Sequence, residues 1–284
     1  MPSLKVLRFK ISAAIGSACC ILILLSAYTS ATEVRQQQFT MDSPAAGEVF
    51  IEPLLSGEIP GVEATHIAIT GPASYSESAS DDHALVMLFL DGKGKLQFQG
   101  EEHELVPETI AMPISKEKIT THVAEGDTLH ALSIRKHCSD QDLEDIKDFA
   151  ARRSGGMYFK KFTDCESYKE AIKSPKTTSR TVLPKDHISR VAMGTVETMG
   201  PDEVGAHRHA MLDQLFLGLS KNDSTVIADE TEAAFPEFTL LHIPLGSLHG
   251  VRAEDGKRMY YMWMDFFLTK EGEEWLKTHK PDTK

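Results

Sequence analysis

One order of strand and turn signals is written twice in this 284-residue chain, and that repetition constrains its fold more than any other feature. The first copy includes MLFLDGKGKLQFQGEEHELVPETIAMPISKEKITTHVAEGDTLHALSI, from Met87 to Ile134. The second includes LFLGLSKNDSTVIADETEAAFPEFTLLHIPLGSLHGVRAEDGKRMYYMWM, from Leu215 to Met264. Each runs strand, turn, strand, acidic stretch, strand, a Pro-containing turn and two more strands. Short β-runs broken by Gly, Pro, Asn and Asp point to an all-β sandwich or barrel, here in two tandem units. In this alignment Pro113 stands with Pro244 and Lys118 with His249.

Strand-like runs are expected at Val49–Leu54, His66–Thr70, Ala84–Leu90, Lys95–Gln99, Thr109–Pro113, Lys118–Val123 and Thr128–Ile134. The turn at Gly92, flanked by LVMLFL and KLQFQ, reads as a hairpin. Met259–Phe267 (MYYMWMDFF) is apolar on both parities, as in a strand buried on both faces. Its aromatics suit core packing first and a cavity lining second.

Between the units the pattern changes. Leu143, Ile146, Phe149 and Ala150 recur at helical spacing, Ser139 or Asp140 can cap them, and Gly155-Gly156 ends the run. Thr163-Asp164-Cys165-Glu166 reads as a capping box opening a second helix that Pro175 stops. The domain layout expected is therefore a first unit over 48–138, a helical connector over 139–178 and a second unit over 180–268. A short terminal helix, Glu271–Thr278, and a tail fill 269–284. Residues 32–45 are polar and read as a disordered lead-in.

The N-terminus reads as a signal peptide over 1–31, with Lys5, Arg8 and Lys10 before the apolar run Ile11–Leu25 and small residues after it. An uncleaved anchor is the other reading, although Ala18–Leu25 is short against the roughly 20 residues a span needs. The expected location is secreted or periplasmic, with no membrane attachment after cleavage. Cys19 and Cys20 leave with the leader, so Cys138 and Cys165 either pair as a disulfide or stay as two thiols. The formal net charge is −12, and loss of the three leader cations makes it more negative. Such a surface repels nucleic acid, and no basic patch with interleaved aromatics offsets it.

The chemistry concentrates in Gly200–Arg252. His207 and His209 are two residues apart, and in a strand such side chains leave one face, roughly 7 Å apart. His249 closes the segment within Pro244-Leu245-Gly246-Ser247-Leu248-His249. Neutral imidazole is the commonest metal-ligating group, and a carboxylate or amide oxygen completes a four-ligand set. The alternative is three hydrogen-bonded or surface histidines. In the first unit His83, His103, His122 and His130 lack ligand spacing and read as solvated, and Lys118 cannot ligate as an ammonium. Asn222-Asp223-Ser224 matches a glycosylation sequon. Arg190 is a candidate for holding a substrate carboxylate.

His-x-His, an acid or amide after three or four residues, and Pro-x-Gly-x-x-His about thirty residues on together resemble the cupin superfamily. With the repeat, the chain resembles a bicupin: two tandem double-stranded β-helix (jelly-roll) barrels, the N-terminal one degenerate and without metal. The resemblance implies one divalent ion per chain, Fe, Mn, Ni, Zn or Cu, on His207, His209 and His249. For the fourth ligand Asp213 and Gln214 both qualify: a carboxylate suits a hard cation, whereas the motif's register favours Gln214. Asp213, when not a ligand, is the candidate general base. The family includes dioxygenases, decarboxylases, lyases and isomerases. The function implied is a metal-dependent enzyme acting on a small carboxylate- or sugar-like molecule. The alternative is a non-catalytic protein that binds or stores a small ligand or metal. A small-molecule partner is expected, and a homodimer is compatible with the fold.

Overall fold

The computed structural model describes residues 34–149, 156–209 and 211–272. The expected leader and most of the expected terminal helix lie outside them. Among the described residues ten strands precede the first helix: β1 (Gln36–Gln38), β2 (Val49–Leu54), β3 (Val62–Thr70), β4 (Ala73–Glu77), β5 (His83–Gly92), β6 (Gly94–Phe98), β7 (Glu101–Leu105), β8 (Thr109–Pro113), β9 (Ile119–Val123) and β10 (Thr128–His137). Helix α1 (Asp140–Asp145) is followed by β11 (Met157–Lys161), β12 (Ser167–Tyr168) and β13 (Thr178–Leu183). The second run is β14 (Val191–Met199), β15 (Asp202–His207), β16 (Leu212–Gly218), β17 (Asp223–Ala228), β18 (Thr231–Pro236), β19 (Thr239–Ile243), β20 (His249–Ala253) and β21 (Arg258–Phe267).

These strands form two jelly-roll barrels. The first pairs a six-stranded sheet, β11-β8-β5-β10-β3-β2, with a four-stranded sheet, β4-β9-β6-β7. The second pairs a seven-stranded sheet, β1-β19-β16-β21-β14-β13-β12, with a four-stranded sheet, β15-β20-β17-β18. Strand alternation then sorts the side chains. In β5, Leu85, Met87 and Phe89 fill the first barrel, while Ala84, Val86, Leu88 and Leu90 face the other way. In β21, Met259, Tyr261 and Trp263 face into the second barrel, while Tyr260, Met262, Met264 and Phe266 face out. The two outward rows meet in one core between the large sheets, so both strands are buried on both faces. Each large apolar side chain fully buried there contributes about 1.5–3 kcal/mol.

Several local expectations change. The Gly92 turn is not a hairpin: β5 pairs with β10 and β8, whereas β6 pairs with β7 and β9 in the other sheet. The chain crosses between sheets there, at a φ of 84° and so close to β10 that a Cβ on Gly92 would lie 1.9 Å from the Thr128 carbonyl oxygen. The hairpin is β6–β7, turning at Gln99-Gly100 with both φ values positive, at 50° and 83°.

From Val34 on, the lead-in has a defined place in the fold. β1 pairs with β19 of the second barrel, and Gln37 contacts β2 of the first through Glu52. Reciprocally, β11 from the connector pairs with β8 of the first barrel. Each large sheet is thus extended by a strand that precedes the other barrel. Periodicity could not find β1, because a three-residue polar strand is specified by its partner rather than by its own pattern.

The connector's first helix forms only in part: Ser139 and Asp142 make a reciprocal capping box, but α1 stops at Asp145, Ile146–Asp148 is a 3₁₀ turn and Phe149 is extended, so the helical run expected through Phe149 breaks off early. The second helix expected from Thr163 does not form: Phe162–Asp164 is one 3₁₀ turn, and β12 follows. Phe162, 1% exposed, is drawn into the inter-barrel core.

Cys138 and Cys165 remain thiols. Each S–H donates to a backbone carbonyl, Cys138 to Lys136 at 3.7 Å and Cys165 to Lys161 at 3.3 Å. Asn222 is buried: its Nδ2 donates to the Phe235 carbonyl, and its Oδ1 accepts from the Tyr260 N–H. The sequon therefore serves a tight turn. Arg190 does not enter the second barrel's cavity. Its Nε and Nη2 grip the two oxygens of buried Asp142 at 2.7 and 2.6 Å, which joins the connector helix to the second barrel.

Candidate metal centre

β15 and β20 are antiparallel neighbours, and their register sets His207 opposite His249. A bulge between Val204 and His207 turns the His207 side chain into the barrel. His209 lies just past the end of β15, yet its ring centroid is 4.9 Å from that of His207 and 5.3 Å from that of His249. The three rings are buried, and one ligand nitrogen from each lies within 4.8 Å of the others.

Two of the rings are held in a defined tautomer. His207 Nδ1 donates to the Gly205 carbonyl at 2.8 Å, and His249 Nδ1 donates to the Ser247 carbonyl at 3.1 Å. A carbonyl only accepts, so each Nδ1 carries the hydrogen and each Nε2 keeps its lone pair. Outer partners of this kind orient metal-binding histidines.

Strand parity separates Asp213 from Gln214. Gln214 lines the same cavity as His207 and His209 and is 4% exposed. Its Nε2 donates to Asp265 Oδ1 at 2.7 Å, while its buried Oε1 has no hydrogen-bond partner among the described residues. Asp213 leaves the opposite face of β16. Its carboxylate lies 3.6 Å from His242 Nε2, and His242 Nδ1 is 3.2 Å from Glu58 of the first repeat unit. It is therefore placed neither as a ligand nor as a base at this centre. Three imidazoles and an orphaned amide oxygen fit a divalent cation of borderline softness.

The same cavity, of about 260 Å³, holds ionisable groups that sequence reasoning missed. Burial raises the Asp265 carboxyl to about 7, against the opposing pull of the Gln214 hydrogen bond. Burial lowers Lys173 from the usual lysine value, opposed by Glu170, whose Oε2 is 2.5 Å from Nζ. Lys173 arrives on the strap between β12 and β13. The strap is pinned by a bridge from Lys173 to Val204, by the Gly205 N–H on the Ile172 carbonyl at 2.7 Å, and by Ser174 on Asp202 at 2.7 Å. A lone carboxylate inside the apolar run Met259–Phe267 was a usable signal for Asp265. The strap has no periodicity that would reveal Lys173.

The first barrel has no such centre among the described residues. Its β4–β9 register sets Glu77 opposite Ile119, where the second sets His207 opposite His249. The partner of His249 is thus Ile119, one residue beyond the Lys118 of the sequence alignment. Glu77 accepts from Ser133 at 2.7 Å and Tyr75 at 3.0 Å. His130 is not solvated: it is 3% exposed, and its Nδ1 is 3.1 Å from Nε2 of the fully buried His66.

No family model and no curated protein matches the chain. Solved structures do. A protein from Pseudomonas aeruginosa described as glyoxylate-induced superposes with a TM-score of 0.60 at 12% identity, over 83% of this chain and 82% of that one. A cupin 2 conserved barrel domain protein from Leptotrichia buccalis gives 0.56 at 12% identity, over 83% and 97%. Oxalate decarboxylase from Lactobacillus farciminis, in a formate complex, gives 0.58 at 9% identity, over 86% and 90%. Two tandem jelly-roll barrels, with a histidine cluster inside the second, give this chain the fold of a bicupin.

Proposed function

We propose that the second barrel holds one divalent metal ion on His207, His209, His249 and the Oε1 of Gln214, and that the protein is an exported metal-dependent enzyme acting on a small carboxylate- or sugar-like molecule. The observation that carries this reading is the buried convergence of three ring nitrogens within 4.8 Å, with the orphaned amide oxygen of Gln214 in the cavity that His207 and His209 line. When bound, such an ion supplies Lewis acidity and an activated water or oxygen site.

The chain's own residues do the rest. The Gly205 and Ser247 carbonyls fix the tautomers of His207 and His249. Asp265 holds the Gln214 amide so that its oxygen, not its nitrogen, is left for the centre. Phe216, Tyr261 and Trp263 give the cavity apolar walls that exclude water, and the Lys173 strap lines its other side.

Elemental analysis of protein purified without added metal tests the reading. About one equivalent per chain is expected, falling steeply in His249→Ala. Iron would direct the search to oxygen chemistry; zinc, nickel or manganese would direct it to isomerase or lyase chemistry. A metal-free, fully folded wild type that takes up none of these ions would overturn the proposal. Metal without turnover of any small acid or sugar would leave a ligand-binding protein in its place.

A further inference from the structure

The charge balance of the second barrel's cavity narrows what it can take. All four proposed donors are neutral, three imidazoles and one amide, so a bound divalent ion would keep its full positive charge. Lys173 adds another cation on the cavity wall, with its side chain only 7% exposed. Two acids are near: Glu170, on Lys173 at 2.5 Å, offsets that lysine's charge, and Asp265, on Gln214 at 2.7 Å, carries at most one negative charge, so at least one positive charge of the ion stays in excess. Lys173 has three N–H donors. One reaches Glu170, and another points at the Tyr168 hydroxyl at 3.5 Å, which leaves donor capacity toward the cavity. A neutral polyol would leave this positive excess uncompensated in a largely desolvated space, which is costly. An anion removes the cost. At about 260 Å³ the space lies just below the range of pockets for drug-sized ligands, so it suits a small molecule.

We propose that the ligand of this cavity is a small carboxylate anion rather than a neutral sugar, and that Lys173 is the residue that receives its carboxylate. The proposal rests on the metal-site reading above and selects between the two substrate classes left open there. It also gives the strap a role: the pinning of Ile172 and Ser174 to β15 fixes where the ammonium stands.

The test is calorimetric titration and thermal shift of zinc-loaded protein with malonate and pyruvate, and with malonamide and glucose as neutral comparators. Wild type should bind one of the acids and neither neutral molecule. Lys173→Met should retain its zinc, measured separately, and lose roughly 10- to 100-fold in acid affinity, the size of one charge-assisted hydrogen bond. Lys173→Arg, which keeps the charge, should retain most of the affinity and serves as the folding control. Equal acid affinity in wild type and Lys173→Met overturns the proposal. So does binding of malonamide as tight as that of malonate, or failure of wild type to bind either acid. Failure of the metal-site reading shows up separately, as wild-type protein that takes up no zinc.

Discussion

His207 and His249 face each other across the β15–β20 ladder with ring centroids 4.4 Å apart, and at the matching place in the first barrel Glu77 faces Ile119. The two barrels share a backbone plan and differ in what it carries. In the first, the position is closed by Ser133 and Tyr75, each donating a hydrogen bond to the Glu77 carboxylate.

Metal stoichiometry follows from that asymmetry. Wild type should hold one ion per chain. His249→Ala should lose more affinity than the roughly 10- to 100-fold typical of losing an outer partner. Ile119→Val, at the matching place in the first barrel, should cost about 1 kcal/mol of stability and leave metal content unchanged. Chelation should lower the melting temperature of wild type and of Ile119→Val, and hardly move His249→Ala. Two ions per chain would show that the first barrel has been misjudged.

Gln214→Leu and Asp213→Leu separate the two adjacent residues. The first removes the amide oxygen from the centre and should weaken metal binding. The second breaks the contact with His242 and should leave metal binding intact. Metal titrations of the two variants decide it, and the reverse result would place the wrong face of β16 inside.

Acid should weaken the fold through the His66–His130 pair. Burial, aided by the charge of His130, lowers His66 from 6.5 to about 4, and burial lowers His130 as well. The folded state therefore binds a proton less readily than the unfolded chain. Stability from His66 is complete above about pH 6.5 and is lost as pH falls through about 4. The full loss is roughly 3 kcal/mol for His66 alone. Asp91 and Asp42 soften the effect at His130. Urea unfolding at pH 7 and pH 4.5 should show a smaller drop for His66→Leu/His130→Leu than for wild type. An equal drop would mean that the pair is not the source.

Asp142 anchors the connector helix from both sides. Burial alone would raise its carboxyl, but hydrogen bonds from Arg190 and Lys136 outweigh that and hold it well below the usual carboxylate range. Its contribution is present at neutral pH and persists until strong acid. Asp142→Asn leaves two cations facing a neutral amide in a site where Asp142 is 1% exposed, and should cost about 3–5 kcal/mol by urea denaturation. A cost below about 1 kcal/mol, the level of a surface pair, would remove the latch from the account.

Mass spectrometry with an alkylating agent should find both Cys138 and Cys165 modified after denaturation without reductant, and little modified in the native state. Burial pushes the Cys165 thiol above its usual value, so the reactive thiolate is scarce. Protein that needs reductant before alkylation would restore the disulfide alternative.

The sequence by itself determined seven strands of the first barrel, the repetition and the three histidines, but not β1, β4, β7, β11 or β12. Those signals are local: a period of two, Gly and Pro punctuation, and a Pro-x-Gly-x-x-His turn. It left Asp213 and Gln214 open, because alternation says that neighbours face opposite ways and not which of them faces inward. That choice came from pairing β16 between β19 and β21, which sets Gln214 beside Asp265. The tertiary structure likewise decided that Gly92 crosses between sheets, that β1 joins the second barrel and that Arg190 meets Asp142. It also carried Lys173 to the cavity on a strap with no pattern of its own. Each of these depends on a partner far away in the chain, up to 205 positions in the case of Gln36 and Leu241. A local pattern encodes which surface of a segment seeks burial, and only the assembled sheets decide against what.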